Sequence, residues 1–303
     1  MTASTSPRRR RITDRLVMDV ESSLTDRDRE ILRLLRWHRV LTTSQVHQMF
    51  FSDRNTAQHR MTRLHELRLV ERFRPVRDGR DGEYHYVLDV LGAYVVAAMA
   101  NCDPDREVKM RWRTDWAMSI AASQRLAHTV GANDVFVRLV AAARDRPDAE
   151  LSTWWGERYC TDRLGEVVRP DGLGVWREGD ATVVFCLEHD RGSEQLGRLA
   201  KKAADYARLE AAWGVAFWVL AVVPGPRRER GVVGGLSAGG LAVATTTASL
   251  DCRPEAAVWA PEGADGARVR LGELATWPRP AESLARLAQG TRCRDQETTE
   301  EAS

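Results

Sequence analysis

The sequence predicts a two-domain chain, an α+β domain followed by an α/β domain. Three observations carry this. With 303 residues the chain exceeds one small domain and suits two. Residues 24–95 show helical apolar spacing that gives way to two short strands. Beyond residue 101 the order reads helix, three strands, helix, strand.

Residues 1–23 show no apolar periodicity. Arg8–Arg11 and Arg15 form a basic arm, either a disordered terminus or a tail that tracks phosphates. The pattern changes at Leu24. Thr25 before Asp26-Arg27-Asp28 is an N-cap with acids in the first turn, and Ile31, Leu34, Leu35 and His38 follow helical spacing. A second short helix starts near Thr42 or Thr43 and carries Val46, Met49 and Phe50. Ser52-Asp53 turns the chain into a third helix, from about Arg54 to Arg68. Its buried stripe is Ala57, Met61, Leu64 and Leu67; its other face is Asn55, Gln58, His59, Thr62 and Arg63. Leu69–Arg74 and Glu83–Leu88 then read as strands around a Gly/Asp loop, a β-hairpin.

Three helices followed by a hairpin is the winged helix-turn-helix layout, here expected over residues 24–100. The third helix would enter the major groove of double-stranded DNA and the hairpin would be the wing. Asn55 and Gln58 suit adenine, with His59 beside them; Arg54 and Arg63 suit guanine or phosphate, and Arg74, Arg77 and Arg80 line the wing loop. A winged helix used only for protein contacts would share this layout.

Asp103-Pro104 marks the expected boundary, and residues 101–290 form the expected second domain. Residues 105–146 read as one long or broken helical region. Trp112 and Trp116 lie four apart, as a core or a homodimer contact, and Gly131 is a candidate break. Asn133 falls on the apolar face with His128 and Asp134 close by. It is either a hydrogen-bonded core group or a sign that this helix lends a polar group to a site. Leu151–Glu157, Val167–Arg177 and Ala181–Asp190 are the three strands, the last two joined by a tight turn at Glu178-Gly179-Asp180. The continuous run Ala181–Leu187 suits a strand buried on both faces. A helix from Gly192 carries the stripe Leu196, Leu199, Ala200, Ala203, Tyr206 and Ala207. Val215–Val223 and Leu241–Thr246 are further strands. Fragments follow around Trp259, Arg268–Leu274 and Trp277, and residues 291–303 form an acidic tail.

Asp171, Glu188 and Asp190 are the chemically suggestive acids. Residues two apart on a strand share a face, and pairing across the 178–180 turn brings Asp171 to the same end. Three converging carboxylates repel one another and attract a cation; oxygen ligands alone suit Mg²⁺ or Mn²⁺. Such an ion would activate water for phosphodiester hydrolysis. Equally, Asp190 could cap the next helix while Glu188 pairs with an arginine. Glu157 is a possible fourth acid. His189 points to the opposite strand face from Glu188 and is not counted as a ligand.

The string Arg169-Pro170-Asp171, Leu187-Glu188-His189-Asp190-Arg191-Gly192-Ser193-Glu194 and Lys202-Ala203-Ala204-Asp205-Tyr206 resembles the PD-(D/E)xK nuclease superfamily. With the winged helix in front, residues 24–280 resemble the replication-relaxation family of bacterial plasmid and mobile-element proteins. The resemblance implies a restriction-endonuclease-like domain, a mixed sheet flanked by helices, with Asp171, Glu188 and Asp190 as metal ligands. It departs from the superfamily motif at Asp190, where a lysine belongs. Lys202 borders the buried stripe of the next helix and could reach back as a relocated lysine, with Tyr206 one turn on; an ordinary flanking lysine would sit there too. Asp171, Glu188, Asp190 and Lys202 are therefore the candidate catalytic set.

Composition sets limits. A net charge of +2 excludes a globally basic binder, although residues 1–100 carry 18 basic and 13 acidic residues. Cysteines at 102, 160, 186, 252 and 293 form no C-x-x-C pair, which excludes a zinc ribbon and suits free thiols in a reducing compartment. The longest apolar run, Ala211–Val223, is too short to span a bilayer, and Arg8–Arg11 precede no apolar segment. The expectation is a cytoplasmic DNA-binding protein of plasmid or mobile-element replication or transfer, working with replication or transfer proteins. Its nuclease-like domain would be active as an endonuclease or nickase, or degenerate. The alternative is a non-enzymatic winged-helix regulator with a partner-binding α/β domain.

Overall fold

The computed structural model describes residues 12–77, 80–100, 116–192, 196–248 and 253–287. The chain is mixed α/β and divides into two units, Met1–Ser123 and Gln124–Ser303. This division falls later than Asp103-Pro104, because Trp116–Ala121 packs on a strand of the first unit. Trp112 and the rest of 101–115 lie outside the described residues.

The first unit begins with α1 (Asp14–Ser22), in a stretch expected to be a disordered arm. Thr13 caps it by accepting the Leu16 N–H, and Val17 buries against the unit. One buried side chain is too little for a periodic signal, so packing decides this helix. α2 (Asp26–His38) opens with a reciprocal capping box between Thr25 and Asp28. α3 (Thr43–Phe50) repeats the device with Thr42 and Gln45. Asp53 caps α4 (Arg54–Glu66), which buries Ala57, Met61 and Leu64. Strands β1 (Leu41–Thr42), β2 (Val70–Phe73) and β5 (His85–Leu88) form an antiparallel sheet ordered β1-β5-β2. Between β2 and β5 the hairpin extends as a two-stranded ribbon of β3 (Val76–Arg77) and β4 (Arg80–Asp81). α5 (Val90–Met99) is apolar nearly all round and packs on α1 and α2, a position the periodicity did not mark. α6 (Trp116–Ala121) completes the unit.

In the second unit α7 (Leu126–Arg144) runs unbroken through Gly131. A Cβ at Gly131 would lie 2.5 Å from the His189 ring, so this glycine permits a close approach and does not break the helix. β6 (Ala149–Gly156), β7 (Gly172–Glu178) and β8 (Ala181–His189) form an antiparallel meander. Gly179, at φ +57°, closes the β7–β8 turn. An unforeseen helix, α8 (Glu157–Leu164), lies between β6 and β7, so β7 starts at Gly172 and not near Val167. α9 (Leu196–Trp213) leads to β9 (Trp218–Val223), parallel to β8. α10 (Pro226–Ser237), also unforeseen in its Gly-rich stretch, leads to β10 (Val243–Thr247) and the antiparallel β11 (Ala260–Pro261). The six-stranded order is β11-β10-β9-β8-β7-β6.

Both faces of this sheet are covered, which explains why β8 and β9 read as continuous apolar runs. One core joins Val135, Phe136 and Leu139 of α7 to Trp176, Phe185, Leu187 and Trp218. The other joins Leu199, Ala203 and Tyr206 of α9 to Leu173, Cys186, Val219 and Val232. Each fully buried Leu, Val or Phe contributes about 1.5–3 kcal/mol. Among the described residues no helix is long and apolar enough to cross a membrane.

Candidate functional site

The end of β8 is where the second unit gathers its charged groups. Asp171 lies just before β7 and donates its N–H to the Leu187 carbonyl at 3.0 Å, extending the ladder. Its carboxylate is 9% exposed and held from two sides. His128 Nε2 lies 2.8 Å from Oδ1, and the His189 N–H donates to Oδ2 at 2.8 Å. Burial opposes ionisation of Asp171, but these hydrogen bonds and the charges of His128 and Lys202 outweigh it, holding the group below its ordinary 3.8. The same hydrogen bond raises the pKa of His128 against the opposing effect of its burial.

Glu188 points to the α9 side of the sheet. Lys202 Nζ and Tyr206 Oη, one helical turn apart, both donate to it. Burial, with the like charge of Asp171, pushes Glu188 up to about 7 although Lys202 and Tyr206 pull the other way. Asp190 is turned elsewhere. Arg228 of α10 pairs with one carboxylate oxygen, and the Gly192 N–H donates to the other at 2.7 Å. Glu157 sits in the first turn of α8, 2.6 Å from Arg125. His189 packs edge-on against His128, ring centroids 5.7 Å apart. Burial first, then the charge of His128, lowers the His189 pKa.

These groups line a cleft of about 350 Å³ that also includes Arg169, Arg191 and Arg198. Asp171, Glu188, Asp190 and Lys202 thus border one cleft. Among the described residues no three His, Cys, Asp or Glu side chains are grouped so as to hold a metal ion. As the side chains stand, the three carboxylates do not fit Mg²⁺ or Mn²⁺ as a set, because each already serves a protein donor. Sequence reasoning placed His128 nearby without a role and missed Arg228. His128 precedes Asp171 by 43 residues, so no local spacing could join them, and Arg228 lies on an unforeseen helix in an arginine-rich chain.

In the first unit Asn55, Gln58, His59 and Arg63 are exposed along one face of α4, and Thr62 is half-buried. Arg54 Nη1 donates to Ser44 Oγ at 2.7 Å, and Arg54 also pairs with Glu83 at 3.4 Å. Arg60, on the flank, forks onto the buried Asp28 and ties α4 to α2. On the hairpin the Arg72 and Arg74 guanidinium groups lie 4.5 and 3.8 Å from the Tyr84 ring centroid. Arg77 and Arg80 face each other in the ribbon register; their side chains lie outside the described residues.

The chain belongs to the replication-relaxation family, whose model matches residues 32–216, more than half of its length. The match spans α4, the hairpin, Asp171, Glu188, Asp190 and Lys202. Membership points to a role in plasmid or mobile-element replication. No curated protein and no solved structure matches the chain.

Proposed function

We propose that the protein is a DNA-binding protein of plasmid or mobile-element replication or transfer. Its first unit is a winged helix that places α4 in the major groove, and its second is a restriction-endonuclease-like domain. The observation that carries this reading is the exposed face of α4, where Asn55, Gln58, His59 and Arg63 stand on one side and Ala57, Met61 and Leu64 are buried on the other. Amide and guanidinium groups at this spacing suit base edges, and Arg74, Arg77 and Arg80 on the hairpin suit phosphates. In the second unit the order α7, three antiparallel strands with α8 inserted after the first, α9 and the parallel β9 supports the nuclease-like fold.

Full-length protein carrying Arg54→Ala, Gln58→Ala and Arg63→Ala together tests the reading by duplex-DNA gel shift across a salt series. Expected is a loss well beyond that from removing residues 1–15, with the salt slope falling by close to one unit per phosphate contact removed. Wild-type protein without salt-sensitive duplex affinity would overturn it.

A second reading, a Mg²⁺- or Mn²⁺-dependent nuclease, rests on Lys202 beside Glu188, the position a relocated catalytic lysine would take. Asp190 would have to leave Arg228, and Glu188 would have to leave Lys202 and Tyr206, before a metal could share them.

A further inference from the structure

Among the described residues that line the second unit's cleft, the charges do not cancel, and the excess is positive. Its four carboxylates are each matched by a cationic group: Asp171 by His128 at 2.8 Å, Glu188 by Lys202, Asp190 by Arg228, and Glu157 by Arg125 at 2.6 Å. Arg169, Arg191 and Arg198 remain. All three line the cleft and are exposed, and none lies within ion-pair distance of a carboxylate among the described residues. Arg169 spends one N–H on the Gly165 carbonyl at 3.3 Å. The charge of Arg191 already helps to disfavour protonation of His189 beside it.

We infer that this cleft binds a phosphate-bearing anion directly, without a divalent cation, through Arg169, Arg191 and Arg198. Guanidinium groups donate two parallel N–H bonds to phosphate oxygens, and their weak hydration suits a partly enclosed site. A metal entering among the carboxylates competes with His128, Lys202 or Arg228 for its partner, whereas an anion at Arg169, Arg191 and Arg198 breaks no ion pair among the described residues. The inference does not depend on the winged-helix reading, because every residue in it belongs to the second unit.

The test uses full-length protein in EDTA, titrated calorimetrically with inorganic pyrophosphate and, separately, with the dinucleotide pTpT. Saturable binding of at least one probe is expected. It should weaken tenfold or more in a variant carrying Arg169→Gln, Arg191→Gln and Arg198→Gln. The Arg54→Ala, Gln58→Ala, Arg63→Ala variant should bind as wild type does, which separates this site from the α4 surface. Preference for pyrophosphate would assign the cleft to free phosphates, and preference for pTpT to a strand; either supports the inference. No saturable binding, binding that requires added Mg²⁺ or Mn²⁺, or unchanged affinity in the triple glutamine variant would overturn it. Because the three side chains are exposed, the variant should unfold at the wild-type temperature, and that measurement guards against a folding artefact.

Discussion

His128 Nε2 lies 2.8 Å from Asp171 Oδ1, so the first turn of α7 and the approach to β7 are joined by a hydrogen-bonded ion pair across 43 residues. The pair sets a pH window. Asp171 has a lowered folded pKa, so its contribution is present above the ordinary carboxylate value of 3.8 and fades as pH falls through the folded value. His128 has a raised folded pKa, so its contribution is complete below 6.5 and is lost as pH rises through the folded value. Both therefore stabilise the fold together in mildly acidic solution. His128→Asn should cost on the order of 1–3 kcal/mol near pH 5.5 and clearly less near pH 8.5. Urea unfolding at the two pH values measures this; an equal loss at both would show that the charged pair is not what His128 supplies.

Glu188 gives the opposite trend with pH to Asp171. Its folded pKa of about 7 lies above the ordinary 4.5, because burial and the Asp171 charge outweigh Lys202 and Tyr206. Stability associated with Glu188 is therefore complete below pH 4.5 and declines as pH rises toward 7 and beyond. Glu188→Gln should remove that decline, flattening the unfolding free energy between pH 5 and 8 by on the order of 1–3 kcal/mol. A parallel decline in both proteins would refute the assignment.

How much of this was legible in the sequence depends on the range of the interaction. The stripe Ala57, Met61 and Leu64 and the run Ala181–Leu187 announce α4 and β8 because a single element's own period reveals which face it buries. Lys202 could be placed toward Glu188 from a helical wheel, since α9 directly follows β8. By contrast α5, α8 and α10 are apolar all round, short or glycine-rich, and carry no clean period. The Asp190–Arg228 pair needs α10 to exist and to return alongside β8, which only the folded sheet order provides. Glu188 falls near the end of β8 as the apolar run implies, and Asp171 lies at the same end of the sheet but just before β7, outside the strand expected over Val167–Arg177; the direction of Asp190 was not readable, since it lies one residue beyond β8 where strand alternation stops applying.

The first unit depends on a polar contact as well as its apolar core. Asp28 is fully buried, caps α2 through Thr25 and receives the Arg60 fork from α4. Arg60 is about one-third exposed, which moderates the strength of the pair. Asp28→Ala removes the cap interaction and leaves Arg60 unpaired, at a cost of about 2–4 kcal/mol. Arg60→Ala alone should cost as much or more, because it strands a buried carboxylate. Urea midpoints of the two variants decide this; losses under about 0.5 kcal/mol in both would mean that the tie is dispensable.

Glu210 of α9 fixes the last described segment to the second unit. It is fully buried, accepts from Ser283 at 2.7 Å, and takes both Nε and Nη2 of Arg286 at 3.0 and 2.8 Å. Arg279 lies 3.7 Å away on the same carboxylate. Residues 281–287 are helical, yet Ser283 is their one fully buried side chain and Leu284 is 54% exposed, so apolar burial alone holds them weakly. Removing Glu210 leaves two partly buried guanidinium groups without their carboxylate, a loss of about 3–5 kcal/mol for a buried network. Glu210→Ala should therefore release this segment before the sheet unfolds, and trypsin should cut the Arg286–Leu287 bond much faster than in wild type. Glu210→Gln keeps the acceptor for Ser283 and should show an intermediate rate. Wild-type cleavage kinetics in Glu210→Ala, with unfolding unchanged, would show that the segment is held by something other than this carboxylate.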